Sequence, residues 1–201
     1  KRLSPFSKET ERIMTDLFED LAIHVRFTGV LFQDDGYLSD FEDFHPDAVK
    51  VYNKKFGTSD FSPDKLSDEQ KAEWTRLKTA RLNEFSSRLM EAVRKYRPDT
   101  RSARTLYAIS VTKPYSEEWL AQNYQETLKY NDYVVIMAYP EMEGVWWKNA
   151  WLDNLLEAVS QQPGALDRTV FKLQTYNWRK KRWISDKTIV KRIRRLVGGG
   201  A

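Results

Sequence analysis

Tyr-Val-Val-Ile-Met-Ala, at residues Tyr133–Ala138, is the stretch of sequence that decides the fold. It is an uninterrupted apolar run, and its valines and isoleucine are β-branched residues that favour strands. A strand with one solvent-facing side alternates apolar and polar residues, whereas a continuous run is typical of a strand covered on both faces. The segment therefore predicts a central strand of a parallel sheet.

Three further predicted strands lie before and after this one, and segments with helical periodicity separate them. The predicted strands cover residues 28–32, 105–111 and 169–175. Buried strands that alternate with helices predict an α/β fold with helices packed outside a parallel sheet. The pattern alone allows a doubly wound sheet or a (β/α)8 TIM-type barrel. A complete barrel has eight strands and about 250 residues, so a barrel with four readable strands is incomplete in this chain.

Functional side chains in parallel α/β folds gather at the carboxyl ends of the strands. The candidate residues at or near these ends are Asp34, Asp35, Tyr107, Tyr139, Glu143, Trp146, Asn177 and Trp178. Glycoside cleavage uses carboxyl groups as acid, base or nucleophile. Aromatic rings cover the apolar faces of sugars, and amides bind sugar hydroxyls. The strand ends are therefore predicted to form a carbohydrate site.

The carboxylate pair Asp34 and Asp35 directly follows the first strand. Adjacent carboxylates oppose each other's ionisation, which can keep one of them protonated near neutral pH. An acidic pair after a strand can equally be a helix cap or a solvated turn. The residue types alone leave these two interpretations open.

The net charge of +4 is unevenly distributed along the chain. Residues 30–47 contain six acids and no Lys or Arg, whereas residues 179–195 contain nine Lys or Arg and a single acid. The basic stretch has apolar residues at helical spacing, so we interpret it as the outer face of an amphipathic helix. We predict no nucleic-acid partner.

Several kinds of chemistry find no support in the sequence. The chain has no cysteine, which excludes disulfides and thiol catalysis, and its two histidines are isolated from each other. It also lacks a glycine-rich phosphate loop and a nucleophile elbow. We therefore predict neither a metal nor a cofactor. No signal peptide is recognisable, and no apolar run approaches the roughly 20 residues of a membrane helix.

One segment resembles a known family closely. Residues 29–43, Gly-Val-Leu-Phe-Gln-Asp-Asp-Gly-Tyr-Leu-Ser-Asp-Phe-Glu-Asp, resemble the G-(I/V)-L-F-x-D-D-x-x-L-S-D-F-E-D segment of the C-terminal glycoside hydrolase domain of bacterial poly-β-1,6-N-acetyl-D-glucosamine N-deacetylases, the PgaB/BpsB type. Residues 102–108, 117–123, 136–145 and 174–178 resemble later segments of that domain in the same order. The similarity extends over nearly the whole chain.

The resemblance implies a fold, an activity and a cellular setting. The fold would be a partial barrel domain over residues 1–201, with strands four to seven of eight and without the family's N-terminal deacetylase domain. The activity would be endo-acting hydrolysis of partially de-N-acetylated poly-β-1,6-N-acetyl-D-glucosamine, a cationic biofilm exopolysaccharide. The location would be periplasmic or outer-membrane-associated, and an outer-membrane export porin would be a partner of the full-length protein.

The family pattern also assigns roles to residues. Asp34 and Asp35 match its acidic pair, Asp40 a groove aspartate, and Glu143 a glutamate after the sixth strand. The resemblance implies a general acid in the pair, with Asp40 and Glu143 binding glucosamine amines or orienting that acid. Tyr139 stands where the family often has Met, and Glu141 where an aromatic residue is expected, which leaves the recognition of individual sugars open. The alternative function is a non-catalytic module that holds and guides the same polymer.

Overall fold

A computed structural model describes residues 3–201 as one parallel sheet with helices packed against it. The helices are α1 (Lys8–His24), α2 (Pro46–Phe56), α3 (Asp68–Arg94), α4 (Ile109–Thr112), α5 (Glu117–Leu120), α6 (Tyr124–Tyr130), α7 (Lys148–Ser160) and α8 (Asp186–Gly198). The strands are β1 (Gly29–Phe32), β2 (Arg101–Tyr107), β3 (Tyr133–Ala138), β4 (Thr169–Leu173), β5 (Tyr176–Asn177) and β6 (Arg182–Trp183). Within residues 3–201, no helix combines the length and apolar character needed to cross a bilayer.

The main sheet has the strand order β1-β2-β3-β4, and every neighbouring pair is parallel. A doubly wound sheet reverses its strand order at a switch point, whereas strands of a TIM-type barrel follow one another in chain order. The observed order is the barrel order. A separate two-stranded antiparallel hairpin, β5-β6, follows β4, and it was not predicted from the sequence.

The main core lies between the sheet and the helices that follow β2 and β3. Leu106, Val134 and Ile136 of the sheet pack against Leu152 and Leu155 of α7, and all five are fully buried. Burying one such side chain stabilises a fold by roughly 1.5–3 kcal/mol. This contact covers one face of β3. The other face of the strand is buried as well, and the two together explain its unbroken apolar run.

The opposite face of the sheet is buried at its centre and exposed to solvent at its edges. Thr105 and Val135, in the two central strands, are buried on this face. Leu31 in β1 is 42% exposed and Val170 in β4 is 50% exposed. In a closed barrel this face is the packed interior, so the gradient is that of a sheet of four adjacent barrel strands.

Two predicted boundaries were wrong. The second strand was expected at residues 105–111, but β2 ends at Tyr107 and the chain turns into α4. The single helix expected from Ser116 is divided into α5 and α6 by Ala121, which has a left-handed backbone with φ of 47°. The first correction places Tyr107 at the carboxyl end of its strand, beside the candidate site.

Candidate functional site at the carboxyl edge of the sheet

The Asp34–Asp35 pair lies in a tight turn that leaves β1. The backbone N–H of Gly36 donates to the carbonyl of Gln33 at 3.5 Å, and that of Tyr37 donates to the carbonyl of Asp35 at 3.0 Å. Asp34 is half-buried and Asp35 is exposed. The turn therefore presents two adjacent carboxyl groups that differ in their exposure to solvent.

A buried arginine supports this turn from behind. Arg104 of β2 donates from Nη2 to the carbonyl oxygen of Gly36 at 2.8 Å and from Nη1 to Oδ1 of Asn83 at 3.2 Å. Its complete burial lowers the pKa of the guanidinium to about 10. Arg104 was not singled out from the sequence, although a charged residue next to a predicted buried strand was a usable signal.

The acidic loop, residues 39–43, follows this turn and is held by hydrogen bonds to its backbone. Glu42 accepts from the Ser39 N–H at 2.9 Å, and the Trp74 indole donates to the Glu42 carbonyl at 3.3 Å. Asp43 is bonded to Ser4 and accepts from the His45 N–H. Asp43 is therefore a buried residue that ties the loop to the start of the chain.

Asp40 lines a groove of about 240 Å³ beside this loop. Two further carboxylates, Asp64 and Glu118, line the same groove together with the rings of Phe41 and Trp74. Lys71 is the cation among the lining residues. Three carboxylates, the exposed ring of Phe41 and one cation favour a cationic ligand with an apolar face, such as a sugar that bears an ammonium group.

Lys78 of α3 lies beneath the acidic loop and is fully buried. Its ammonium group donates to the carbonyl oxygen of Ser39 at 2.5 Å. Burial lowers the pKa of Lys78 to about 8, while the charges of Asp40, Glu42, Glu118 and Asp43 oppose that decrease. The clustered carboxylates thus have a buried counter-charge. The only sign of it in the sequence is that Lys78 lies one helical turn after Trp74 and one turn before Leu82, on the apolar face of the helix.

We expect Lys78→Met to stabilise the protein at pH 7 by up to about 3 kcal/mol. The unfolded lysine titrates near 10.5 and the folded one near 8. Between these values the unfolded chain binds more protons, so the wild-type free energy of unfolding rises with pH across this window. The advantage of Lys78→Met should therefore shrink from pH 7 to pH 10, as measured by urea unfolding. Lys54→Met on the exposed face of α2 is the control, and a Lys78→Met advantage that does not change with pH would contradict the assignment.

Aromatic pairs connect neighbouring strand ends. Tyr107 at the end of β2 makes an edge-to-face contact with Tyr37, with ring centroids 6.3 Å apart. Tyr139 after β3 packs against Trp178 of the hairpin at 6.0 Å. Tyr37 was missed in the sequence, although its position two residues after Asp35 placed it near the pair. The two pairs thus place aromatic rings at the carboxyl ends of β2 and β3.

Glu143 lies in the loop between β3 and α7 and is half-buried. Burial raises its pKa above the usual carboxyl range, against the opposing charges of Lys113 and Arg179. A raised pKa favours the protonated form of a carboxyl group, which can donate a hydrogen bond or a proton. Glu143 is therefore a second candidate acid beside the pair, in addition to the amine-binding role that the family pattern implies.

The remaining predicted residues lie in other environments. Asn177 accepts from the Lys180 N–H at 2.9 Å and so closes the β5-β6 turn. Trp146 is 85% exposed and lines a different groove, whose charged residues are mostly cations. Glu141, which stands where the family pattern has an aromatic residue, is buried in an ion pair with Arg192 at 2.6 and 3.0 Å. Within residues 3–201, no cluster of His, Asp or Glu is arranged to hold a metal ion.

Consecutive parallel strands with carboxylates and aromatic rings at their carboxyl ends define the class of protein, a TIM-type barrel domain of the glycoside hydrolase kind. The family is given by comparison with known proteins. The chain belongs to the family described as hypothetical glycosyl hydrolase family 13, which matches residues 1–201.

Two sequence relatives and one solved structure refine this assignment. The poly-β-1,6-N-acetyl-D-glucosamine N-deacetylases of Escherichia coli K12 and O157:H7 are each 39% identical over 182 residues, which cover 89% of this chain. The chain spans only 27% of the length of these relatives. The PgaB (BpsB) glycoside hydrolase domain of Bordetella bronchiseptica superposes with a TM-score of 0.91 at 36% identity, covering all of this chain and 57% of that one. The resemblance inferred from the sequence and the partial-barrel fold are both confirmed.

Proposed function

We propose that this chain is an endo-acting glycoside hydrolase of partially de-N-acetylated poly-β-1,6-N-acetyl-D-glucosamine. The observation that carries the proposal is the acidic loop and its Asp40 groove directly after the Asp34–Asp35 turn. This arrangement combines a proton donor with a surface that attracts glucosamine amines. The similarity to a glycoside hydrolase domain of the PgaB type supports the same substrate class.

The proposed reaction needs one acid and the substrate's own acetamido group. Asp34 or Asp35 donates a proton to the glycosidic oxygen as the bond between that oxygen and C1 breaks. The carbonyl oxygen of the 2-acetamido group attacks C1 and forms a cyclic oxazolinium ion. Water then opens the ring and returns a proton to the carboxylate. No second catalytic carboxylate is required for this route.

Recognition of the polymer is proposed to be shared among strand ends. Asp40 and Glu143 bind ammonium groups or orient the acid, while Tyr107, Tyr139 and Trp178 contact sugar rings. Asn177 and Trp146 remain predictions as substrate-binding residues. Asn177 is already bonded within its own turn, and the cations around Trp146 disfavour a cationic polymer there.

The setting of the domain is part of the proposal. We propose that residues 1–201 form one partial barrel domain that acts in the periplasm or at the outer membrane, with an export porin as partner of the full-length protein. Because the chain spans only 27% of the length of its relatives, the deacetylase activity in their name is not carried over to it.

The test is incubation of the purified protein with partially de-N-acetylated polymer, followed by mass spectrometry of the products. We expect oligomers of several lengths from early time points, because an endo-acting enzyme cuts within the chain. The fully acetylated polymer should be cleaved poorly, since it offers no ammonium group to Asp40. Binding without any change in chain length would reject hydrolysis and support the non-catalytic polymer-binding module.

A further inference from the structure

A second groove, of about 660 Å³, lies between α7 and α8 and includes the first turn of each helix. We refer to it as the α7–α8 groove. Its charged lining residues are Lys148, Lys187, Lys191, Arg192, Arg195 and Asp153. Five cations and one acid give it the opposite sign to the Asp40 groove. The cationic polymer of the proposed function does not account for it.

The charge of the α7–α8 groove is only partly neutralised. Arg192 pairs with the buried Glu141, and Arg195 pairs with Asp153. In the described part of the chain, Lys187 and Lys191 form no ion pair, and the Lys148 ammonium donates only to the Val145 carbonyl. Three lysines thus lack a carboxylate partner.

Besides these lysines, the groove has unpaired hydrogen-bond donors on the backbone and on one buried side chain. Trp147 and Ser185 precede α7 and α8, and neither side chain caps the N–H groups of its helix. Both helices have 13 residues and present positive dipole ends to the groove. Arg192 is 3% exposed, lines the groove, and its Nε–H has no acceptor among the described residues. The groove therefore offers unsatisfied donors to an anion.

Two tryptophans determine which anion fits. Trp146 and Trp147 line the groove and are 85% and 76% exposed. Indole rings are apolar faces with little conformational freedom, and they suit flat, apolar partners such as the C–H face of a sugar ring. The groove volume falls in the range of small-ligand sites, which is enough for one or two sugar units.

We propose that the α7–α8 groove is a binding site for a carboxylate-bearing oligosaccharide. Trp146 and Trp147 cover the sugar faces, Lys187 and Lys191 pair with carboxylates, and the helix N-termini donate hydrogen bonds. This inference does not depend on the cleavage reaction. It gives the protein two glycan sites of opposite charge preference.

The test is calorimetric titration of the purified protein with trigalacturonate. We expect saturable binding that Lys187→Glu/Lys191→Glu weakens by at least roughly tenfold and that Trp147→Ala weakens by roughly fivefold. Lys54→Glu/Arg76→Glu makes the same charge change on exposed residues of α2 and α3 and should leave the affinity unchanged.

Three comparison ligands distinguish the possible occupants. Tri-N-acetylglucosamine has the rings without the charge, polyglutamate has the charge without the rings, and phosphatidylglycerol vesicles present an anionic surface. Weaker binding of all three supports the proposal. It is overturned if trigalacturonate does not bind. It is also overturned if polyglutamate or the vesicles bind as tightly as trigalacturonate and Trp147→Ala does not weaken their binding. A third overturning result is that Lys54→Glu/Arg76→Glu lowers the affinity for trigalacturonate as much as Lys187→Glu/Lys191→Glu does. Cleavage of the cationic polymer by Lys187→Glu/Lys191→Glu is measured in parallel and should be unchanged.

Discussion

Replacing Asp34 and Asp35 together with asparagine is expected to lower the rate of polymer cleavage about a thousandfold. Asparagine keeps the size of the side chain and its hydrogen-bonding atoms but cannot deliver a proton to the glycosidic oxygen. The Gln33–Tyr37 turn is held by backbone bonds and by Arg104, so the fold should survive the change. Product formation is measured by mass spectrometry at enzyme concentrations that detect the residual rate.

The control for this variant is Asp16→Asn/Asp20→Asn, which removes the same charge from the exposed face of α1. It should cleave at the wild-type rate. The two single variants then separate the roles within the pair, because the proton donor should account for most of the loss. Full activity in the Asp34→Asn/Asp35→Asn protein would remove the pair from the mechanism and leave Glu143, with its raised pKa, as the next acid to test.

The largest effect on stability is expected from breaking the buried ion pair between Glu141 and Arg192. Glu141→Gln should lower the free energy of unfolding by about 3–5 kcal/mol, because it leaves the guanidinium without a counter-charge in a dry environment. For a chain of this size that is a decrease of roughly 10 °C in Tm. Urea unfolding and differential scanning calorimetry measure the two quantities.

The matched comparison is Asp153→Asn, which breaks the ion pair between Asp153 of α7 and Arg195 of α8. Asp153 and Arg195 are partly exposed, so this change should cost less than about 1 kcal/mol. The double variant Glu141→Met/Arg192→Met removes both buried charges and should recover most of the loss. If Glu141→Gln is no worse than Asp153→Asn, the buried pair is not a main anchor of α8.

The sequence predicted best those elements whose side chains are buried against apolar neighbours. β3 was predicted with its exact observed bounds because every residue of it after Tyr133 is buried. β2 was misplaced because Ser102 and Arg104 look like loop residues in sequence. Both are buried on the strand because partners from elsewhere satisfy them: Asp132 bonds Ser102, and Asn83 and Gly36 bond Arg104.

The same reason explains what was found and missed at the candidate site. Asp34 and Asp35 could be placed because the end of a buried strand is visible locally. Lys78 and Glu141 could not, because burial of a charge depends on partners that come from distant segments. The α7–α8 groove was hidden for a related reason. An amphipathic pattern shows that a helix has a polar face but not that two helix ends bring their lysines together.

The Asp40 groove and the α7–α8 groove give the protein surface two patches of opposite charge, although its net charge is only +4. A patch on one molecule can attract the opposite patch on another, and salt screens this attraction over a Debye length of roughly 10 Å at 0.1 M ionic strength. We therefore expect weak self-association of the folded chain at low ionic strength, reversed by added salt.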